Sequence, residues 1–306
     1  MPTTTAADAR ARLRDIYATA HEQTLHPNLL GWPGPPDEAE LDFISRVVYD
    51  RPGRSREGCA YLVKELAQLA EIERHLSAVF GIITAQLGAD DSPLSDGYDL
   101  HHALNLFAAE EYVHSDFFYR YVREIADDDV KLSDSLFMER LALYEGDDSP
   151  YVKLAAMCMA AYVGESVITV FEKRTAHLDP DRKRFLTRLL WAHGMDEARH
   201  VQVDHVVIEH VIPSLTEAER DRAFEIFRAT EDLNAELAGR FQQLVRRQFG
   251  LDHTPGNHAW EVQQKLTQVF RRALAESWPP VPVDERLDDA TRALLVGFAG
   301  DDRVHP

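Results

Sequence analysis

Residues 193–200 read His-Gly-Met-Asp-Glu-Ala-Arg-His, and this octapeptide decides how the rest of the chain is read. His193, Glu197 and His200 follow one another at steps of four and three, which puts all three on one side of an α-helix. That side is apolar, because Leu186, Leu189 and Val207 continue the same stripe. The helix therefore turns two imidazoles and a carboxylate toward a core. Ionised groups are kept there only when paired or bound to a cation, since burying one alone costs several kcal/mol.

Three further stretches repeat the pattern. Leu104, Phe107, Ala108, Glu111, His114, Phe118 and Val122 form a second stripe carrying Glu-x-x-His. Leu62, Leu66, Leu69, Glu73, Leu76, Phe80 and Ile83 form a third with one glutamate inside it, while Glu71 points elsewhere. Leu154, Cys158, Ala161, Glu165 and Ile168 form the fourth. One glutamate from each of two helices plus Glu-x-x-His from each of two others is how a four-helix bundle holds a carboxylate-bridged pair of metal ions. The expected ligands are Glu73, Glu111, His114, Glu165, Glu197 and His200, with His193 as a third imidazole. Hard oxygen donors with a few imidazoles suit iron or manganese better than zinc or copper. Two divalent ions would also cancel the charge of four buried carboxylates. Glu-x-x-His arises by chance in a chain of this composition, so the weight rests on both copies falling on apolar stripes. The alternative is a metal-free bundle held by inward Glu–His and Glu–Arg pairs.

Neighbouring residues extend the site. Asp196 and Glu110 immediately precede the two Glu-x-x-His glutamates and can reach the far nitrogen of a ligating imidazole on another helix. For Glu110 a solvent-facing position is the alternative. Asp204, one turn after His200, either supports the site or pairs with a cation on an adjacent helix. Gly164 and Gly194 lie beside Glu165 and His193, and each costs ~1 kcal/mol relative to alanine in a helix interior. That cost implies a packing reason: space for the metals or oxygen, a π-bulge, or close helix approach. Phe80, Phe107, Phe118, Leu69, Leu104 and Tyr162 are candidates for a pocket lining or for ordinary core. His101, His102, His177, His205 and His210 read as surface or cap residues.

The whole chain reads as all-α. Helices are predicted over 4–25, 38–49, 56–87, 100–126, 132–145, 150–177, 180–211, 217–248, 258–277 and 285–298, with a core bundle at about 56–211 and peripheral helices at both ends. Turns rich in Pro, Gly and Asp separate them, as in residues 26–37, 88–99, 145–150, 250–257 and 278–284. Ser149–Pro150 and Asp179–Pro180 each read as a capping residue before a first-turn proline, and Thr216 with Glu219 as a capping box. No linker is long or biased enough to divide residues 1–306, so a single domain is expected.

The 306 residues are 45% hydrophobic and 28% charged, with a formal net charge of −19. So acidic a chain is poorly suited to nucleic acid, whose binding depends on neutralising phosphates with Lys and Arg. The basic clusters at 182–184, 246–247 and 271–272 read as solvated helix faces, and remain the places where an acidic redox or carrier-protein partner would dock. No run of eighteen apolar residues predicts a membrane span, and no apolar leader is seen. Cys59 and Cys158 read as reduced, buried thiols, which fits a cytoplasmic protein.

At Glu73 in Ile-Glu-Arg, Glu111 and His114 in Glu-Glu-Tyr-Val-His, Glu165 in Gly-Glu-Ser, and His193, Glu197 and His200 in the opening octapeptide, the chain resembles the p-aminobenzoate (arylamine) N-oxygenase family of ferritin-like di-iron enzymes. The resemblance covers roughly residues 60–210, and His193 is its most specific element. It implies a ferritin-like four-helix core and two iron ions held by the seven ligands, with Glu111 and Glu197 as the expected bridges. It also implies O2-dependent oxidation of a small-molecule amine to hydroxylamine, nitroso or nitro product. Electrons would come from an external reductase or ferredoxin, since no G-x-G-x-x-G opens a helix. A homodimer is the default assembly. Other readings stay open: an acyl-chain or carrier-bound substrate desaturase or hydroxylase of the same bundle class, and a non-catalytic iron-binding or radical-storing bundle with Tyr112 or Tyr162 near the metals.

Overall fold

The four stretches that carry the expected ligands are the four central helices of an all-α protein. The computed structural model describes residues 6–23, 27–87, 94, 99–276 and 283–304. The helices are α1 (Ala6–Gln23), α2 (Glu38–Tyr49), α3 (Ser55–Gln86), α4 (Asp99–Ala126), α5 (Phe137–Glu145), α6 (Pro150–Leu178), α7 (Phe185–Val206), α8 (Glu217–Phe249), α9 (His258–Glu276) and α10 (Asp289–Ala299). No strand occurs among the described residues. The outer ends of the predicted first and ninth helices, and most of the turns at 88–99 and 278–284, lie outside them.

Side-chain pairings fix the helix directions. Ser77 bonds to Ala108 and Tyr119 to Glu71, so α3 and α4 are antiparallel. Glu110 meets His200 and Asp196 meets His114, which makes α4 and α7 antiparallel. Glu172 pairs with His193, and Cys158 with Asp204, which does the same for α6 and α7. Lys153 bonds Gln86 while Tyr61 stacks on Phe171, so α3 and α6 are antiparallel as well. The consecutive bundle helices α4 and α6 therefore run the same way. Residues 127–149, including α5, carry the chain back along the bundle as its one long crossover.

The outer helices cover the bundle unevenly. α1 packs on α4 and α7, whereas α8 lies across α3 and α6 with α9 beside α6. α6 is the one described helix long and apolar enough to cross a membrane by length and composition, and 89% of its most apolar window is buried inside the protein. Its central place in the bundle accounts for that apolarity. Cys59 and Cys158 are free and buried.

Several expected helix ends are observed. Ser149 caps Tyr151 N with Pro150 in the first turn, and Thr216 and Glu219 form the full capping box. The Asp179–Pro180 start is wrong. Asp179 ends α6 and accepts bonds from the amides of Lys183 and Arg184, Arg182 adopts a left-handed φ of 53°, and α7 begins only at Phe185. The cap comes from another helix: Glu40 of α2 accepts from the amides of Phe185 at 3.0 Å and Leu186 at 2.7 Å. A buried carboxylate there meets both the free amides and the positive end of the helix dipole. The helix predicted over 132–145 starts at Phe137, and that over 285–298 begins as a 3-10 turn (Val283–Arg286) before α10. The predicted 180–211 helix ends in a π-turn (Val207–Val211) leading to Pro213.

Candidate metal centre

All seven expected ligands converge in the bundle interior, none more than 5% exposed. They form two overlapping groups whose donor atoms lie within 4.8 Å of one another. The first is Glu73, His114, His193 and Glu197; the second is Glu111, His114, Glu197 and His200. Glu197 spans both. Its Oε1 is 2.7 Å from His193 Nε2 and 3.3 Å from His114 Nδ1, while its Oε2 is 3.4 Å from His200 Nδ1. Glu73 Oε1 is 3.0 Å from His193 Nε2, and Glu111 Oε1 is 2.9 Å from His200 Nδ1. Glu165 Oε1, at 4.0 Å from His200 Nδ1, is the outermost of the seven. Glu111, expected to bridge, belongs only to the group with His200.

The orphaned atoms in this space point to a metal. Both oxygens of Glu111, Glu165 and Glu197, one oxygen of Glu73, and Nδ1 of His114 and His200 are buried without a hydrogen-bond partner. Leaving so many polar atoms unsatisfied would be costly in a metal-free core. Four carboxylates with three imidazoles, all turned to one space, are a donor set that divalent cations would satisfy in charge and in chemistry. The geometry is compatible with a metal site.

Each imidazole is held from behind. His114 Nε2 donates to Asp196 Oδ2 at 3.1 Å, His200 Nε2 to Glu110 Oε2 at 2.9 Å, and His193 Nδ1 to Glu172 Oε1 at 3.0 Å. A carboxylate on one nitrogen fixes the tautomer that leaves the other free to bind a metal. Asp196 and Glu110 thus sit where the sequence places them, each serving the histidine of the opposite helix, and Glu110 is buried rather than solvent-facing. Arg199 joins them, donating to Glu110 at 2.6 Å and also to Asp196.

Glu172 and Arg199 were not expected. Glu172 continues the α6 stripe two turns beyond Glu165, a spacing that could have marked it. It also explains Gly194: a Cβ there would lie 2.1 Å from Glu172 Oε2. No π-turn interrupts the helix at either glycine, and Gly164 faces open space. Glu71, buried in the same helix as Glu73, pairs with Arg74 at 2.7 Å and with Tyr119, away from the centre. Tyr112 is 65% exposed, which removes it as a radical site beside the metals. Phe107 stacks on His200 at 3.7 Å between ring centres, and Phe118 meets His193 edge-on at 4.9 Å. Both are core that keeps water from the imidazoles.

Without a metal the centre holds protons. Burial raises Glu73 to about 8 and also raises Glu111. Glu165 is raised well above the usual carboxylate range by burial first and then by repulsion from Asp204. Asp204 is raised likewise by burial, against the lowering effect of Cys158 and Glu165. Among the described residues Asp204 makes no ion pair with Lys or Arg; its side chain faces Glu165 and the thiol of Cys158. Burial opposes charge on His114, but the carboxylates of Asp196 and Glu197, one beside each ring nitrogen, outweigh it and lift it to about 9. His193 and His200 are likewise raised, and the paired imidazoliums draw Glu197 well down against its burial.

A cavity of about 300 Å³ lies beside the centre, between α3, α6, α8 and α9. Leu69, one turn before Glu73, and Gly164 and Ile168, on either side of Glu165, belong to its wall. Of the six candidate pocket residues only Leu69 lines it. Comparison with known proteins finds no family model that matches this chain, and no similar curated protein or solved structure.

Proposed function

We propose that this protein is a non-haem di-iron oxygenase that uses O2 to oxidise the nitrogen of a small-molecule amine. The observation that carries the reading is the set of three imidazoles, each tied to a carboxylate on one nitrogen and facing a common space with the other. Glu73, His114, His193 and Glu197 would hold one ion, and Glu111, Glu165, Glu197 and His200 the other. The single-crossover bundle adds support, since carboxylate di-metal proteins use that connectivity. Bound iron would supply the redox chemistry with O2, with electrons from an external donor.

The chain's own part is positioning and exclusion. Asp196, Glu110 and Glu172 hold the imidazoles in the tautomers that ligation needs. Phe107 and Phe118 close the α4 side against water. The cavity beside Glu73 and Glu165 leaves the α3/α6 side for a small substrate. A desaturase or hydroxylase of acyl chains draws less support, because a cavity of about 300 Å³ is at the small end of ligand pockets.

Iron per protomer after anaerobic ferrous loading and desalting tests the first half of the proposal, and turnover of an arylamine with O2 and a reductant tests the second. Two tightly held irons with nitrogen oxidation are expected. No retained iron, or no amine oxidation by a fully loaded protein, overturns it.

A further inference from the structure

We infer that the cavity between α3, α6, α8 and α9 is the binding site for a neutral, largely apolar small molecule that presents a hydrogen-bond donor to Gln68. The inference rests on the proposed oxygenase reading for the cavity's purpose and on the cavity's own lining for the ligand's chemistry.

The walls decide the class. Leu62, Leu66 and Leu69 of α3 face Val163, Val167 and Ile168 of α6 across the space. Transfer of apolar surface from water to such walls is favourable. The charged groups in the lining are already matched. Lys64 pairs with Glu65 at 2.8 Å, and the second Glu65 oxygen accepts from Gln263 at 2.6 Å. Arg271 pairs with Glu231 at 3.3 Å, and the other Glu231 oxygen accepts from Asn234 at 3.2 Å. The two cations and two anions sum to zero, and both oxygens of each acid are engaged. A carboxylate or phosphate entering this space would lose water and find its counter-charges taken, which is costly. A neutral molecule meets no such penalty.

One polar atom stands open. Gln68 Oε1 is buried and has no hydrogen-bond partner, and Gln68 lines the cavity. It lies on α3 beside Leu69, which also lines the cavity and is one turn before Glu73. An O–H or N–H of the bound molecule would satisfy it. Gly164 supplies the opening: a Cβ there meets nothing within 4 Å, so a larger side chain would extend into the cavity.

The test uses the full-length, metal-loaded protein and three probes of one shape: para-aminobiphenyl, its carboxylate derivative on the far ring, and para-methylbiphenyl, which lacks the donor. Binding is followed by calorimetry. The amine should bind, with the carboxylate derivative at least about tenfold weaker because its charge is left unmatched. Gln68→Leu should remove about tenfold of the preference for the amine over the methyl probe, the worth of one buried hydrogen bond. Gly164→Leu should abolish binding of all three while circular dichroism stays unchanged. Equal or tighter binding of the carboxylate derivative, no binding of the amine, or unchanged binding in Gly164→Leu overturns the inference. Iron content, measured on the same samples, separates the two proposals. Iron without probe binding removes the cavity assignment alone, and probe binding without iron removes the oxygenase reading alone.

Discussion

The two sides of the central bundle are built on opposite principles. On the α4/α7 side, His114 and His200 are crossed over by Asp196 and Glu110, and Arg199 ties the two carboxylates together. The Nε2 of each ring is satisfied, and Phe107 and Phe117 lie against His200 and His114 respectively. On the α3/α6 side, Glu165 keeps both oxygens orphaned and Glu73 one, as Glu111 and Glu197 do on the other side, but here α8 and α9 leave a cavity. Only His193, pinned by Glu172, brings the first kind of order to the second side. A closed polar network gives rigidity, whereas an open one gives room for reactants. The comparison teaches that the metals would be aimed from α4/α7 and used from α3/α6.

The largest test of this division is Glu197, the one carboxylate common to both groups of donors. Glu197→Ala should cost both ions, whereas Glu165→Ala, at the outer edge, should spare the position built on Glu73, His114 and His193. Elemental analysis after loading reads the difference. If Glu197→Ala retains two ions, the carboxylate does not link the positions.

Next in size is the response to pH. In the metal-free protein His114 stands at about 9 against an ordinary 6.5, and Glu73 at about 8 against 4.5. Both are raised above their unfolded values. The stabilisation they give is complete below 6.5 and 4.5 respectively, and is lost as pH rises through about 9 and about 8. Glu197 acts in the opposite sense: its depressed value adds stability above 4.5 that is lost only in stronger acid. The metal-free Tm should therefore fall as pH rises to about 9, while the loaded protein, with cations in place of those protons, changes little. Loading should also release protons. A metal-free Tm that is flat or rises over this interval would contradict the assignment.

Arg199 tests the closed side directly. Arg199→Met keeps the apolar stem and leaves Glu110 and Asp196 buried without their shared cation. Removing one partner of a buried ion pair costs about 3–5 kcal/mol, and denaturant unfolding should register a loss of that order. A loss under about 1 kcal/mol, the size of an exposed pair, would mean that the network is not what holds this side.

What the sequence disclosed follows the same division. The seven candidate ligands were legible because each shares a 3.6-residue stripe with apolar neighbours on its own helix, as Glu73 does with Leu69 and Leu76. Asp196 and Glu110 were legible as neighbours of ligands. Arg199 was not, because a lone arginine in a helix reads as surface until the carboxylates of two helices are seen to enclose it. Glu40 capping α7 depends on a contact between segments more than a hundred residues apart. The loss of helix over 180–184 comes instead from Asp179 accepting the amides of Lys183 and Arg184, which a capping residue before a proline does not announce. The cavity was hidden for a related reason: its outer wall comes from α8 and α9, whose packing no local periodicity fixes. The resemblance to ferritin-like di-iron enzymes spans roughly residues 60–210 and says nothing about that wall.

The smallest expected effect bears on the one ordered element of the open side. Gly194→Ala would place a Cβ 2.1 Å from Glu172 Oε2, so the carboxylate must swing away from His193. Glu172→Gln keeps the shape but replaces the anion that accepts from His193 Nδ1. Loss of such an orienting group costs about 10–100-fold in metal affinity. Both variants should fall in that range by competitive chelator titration, with no change in unfolding midpoint beyond that caused by weaker metal binding. Combining Glu172→Gln with His193→Ala sharpens the result. If Glu172 acts only through His193, the double variant binds metal no more weakly than His193→Ala alone. Additive losses would mean that Glu172 reaches the centre by another route, and the open side would then be more ordered than its orphaned atoms imply.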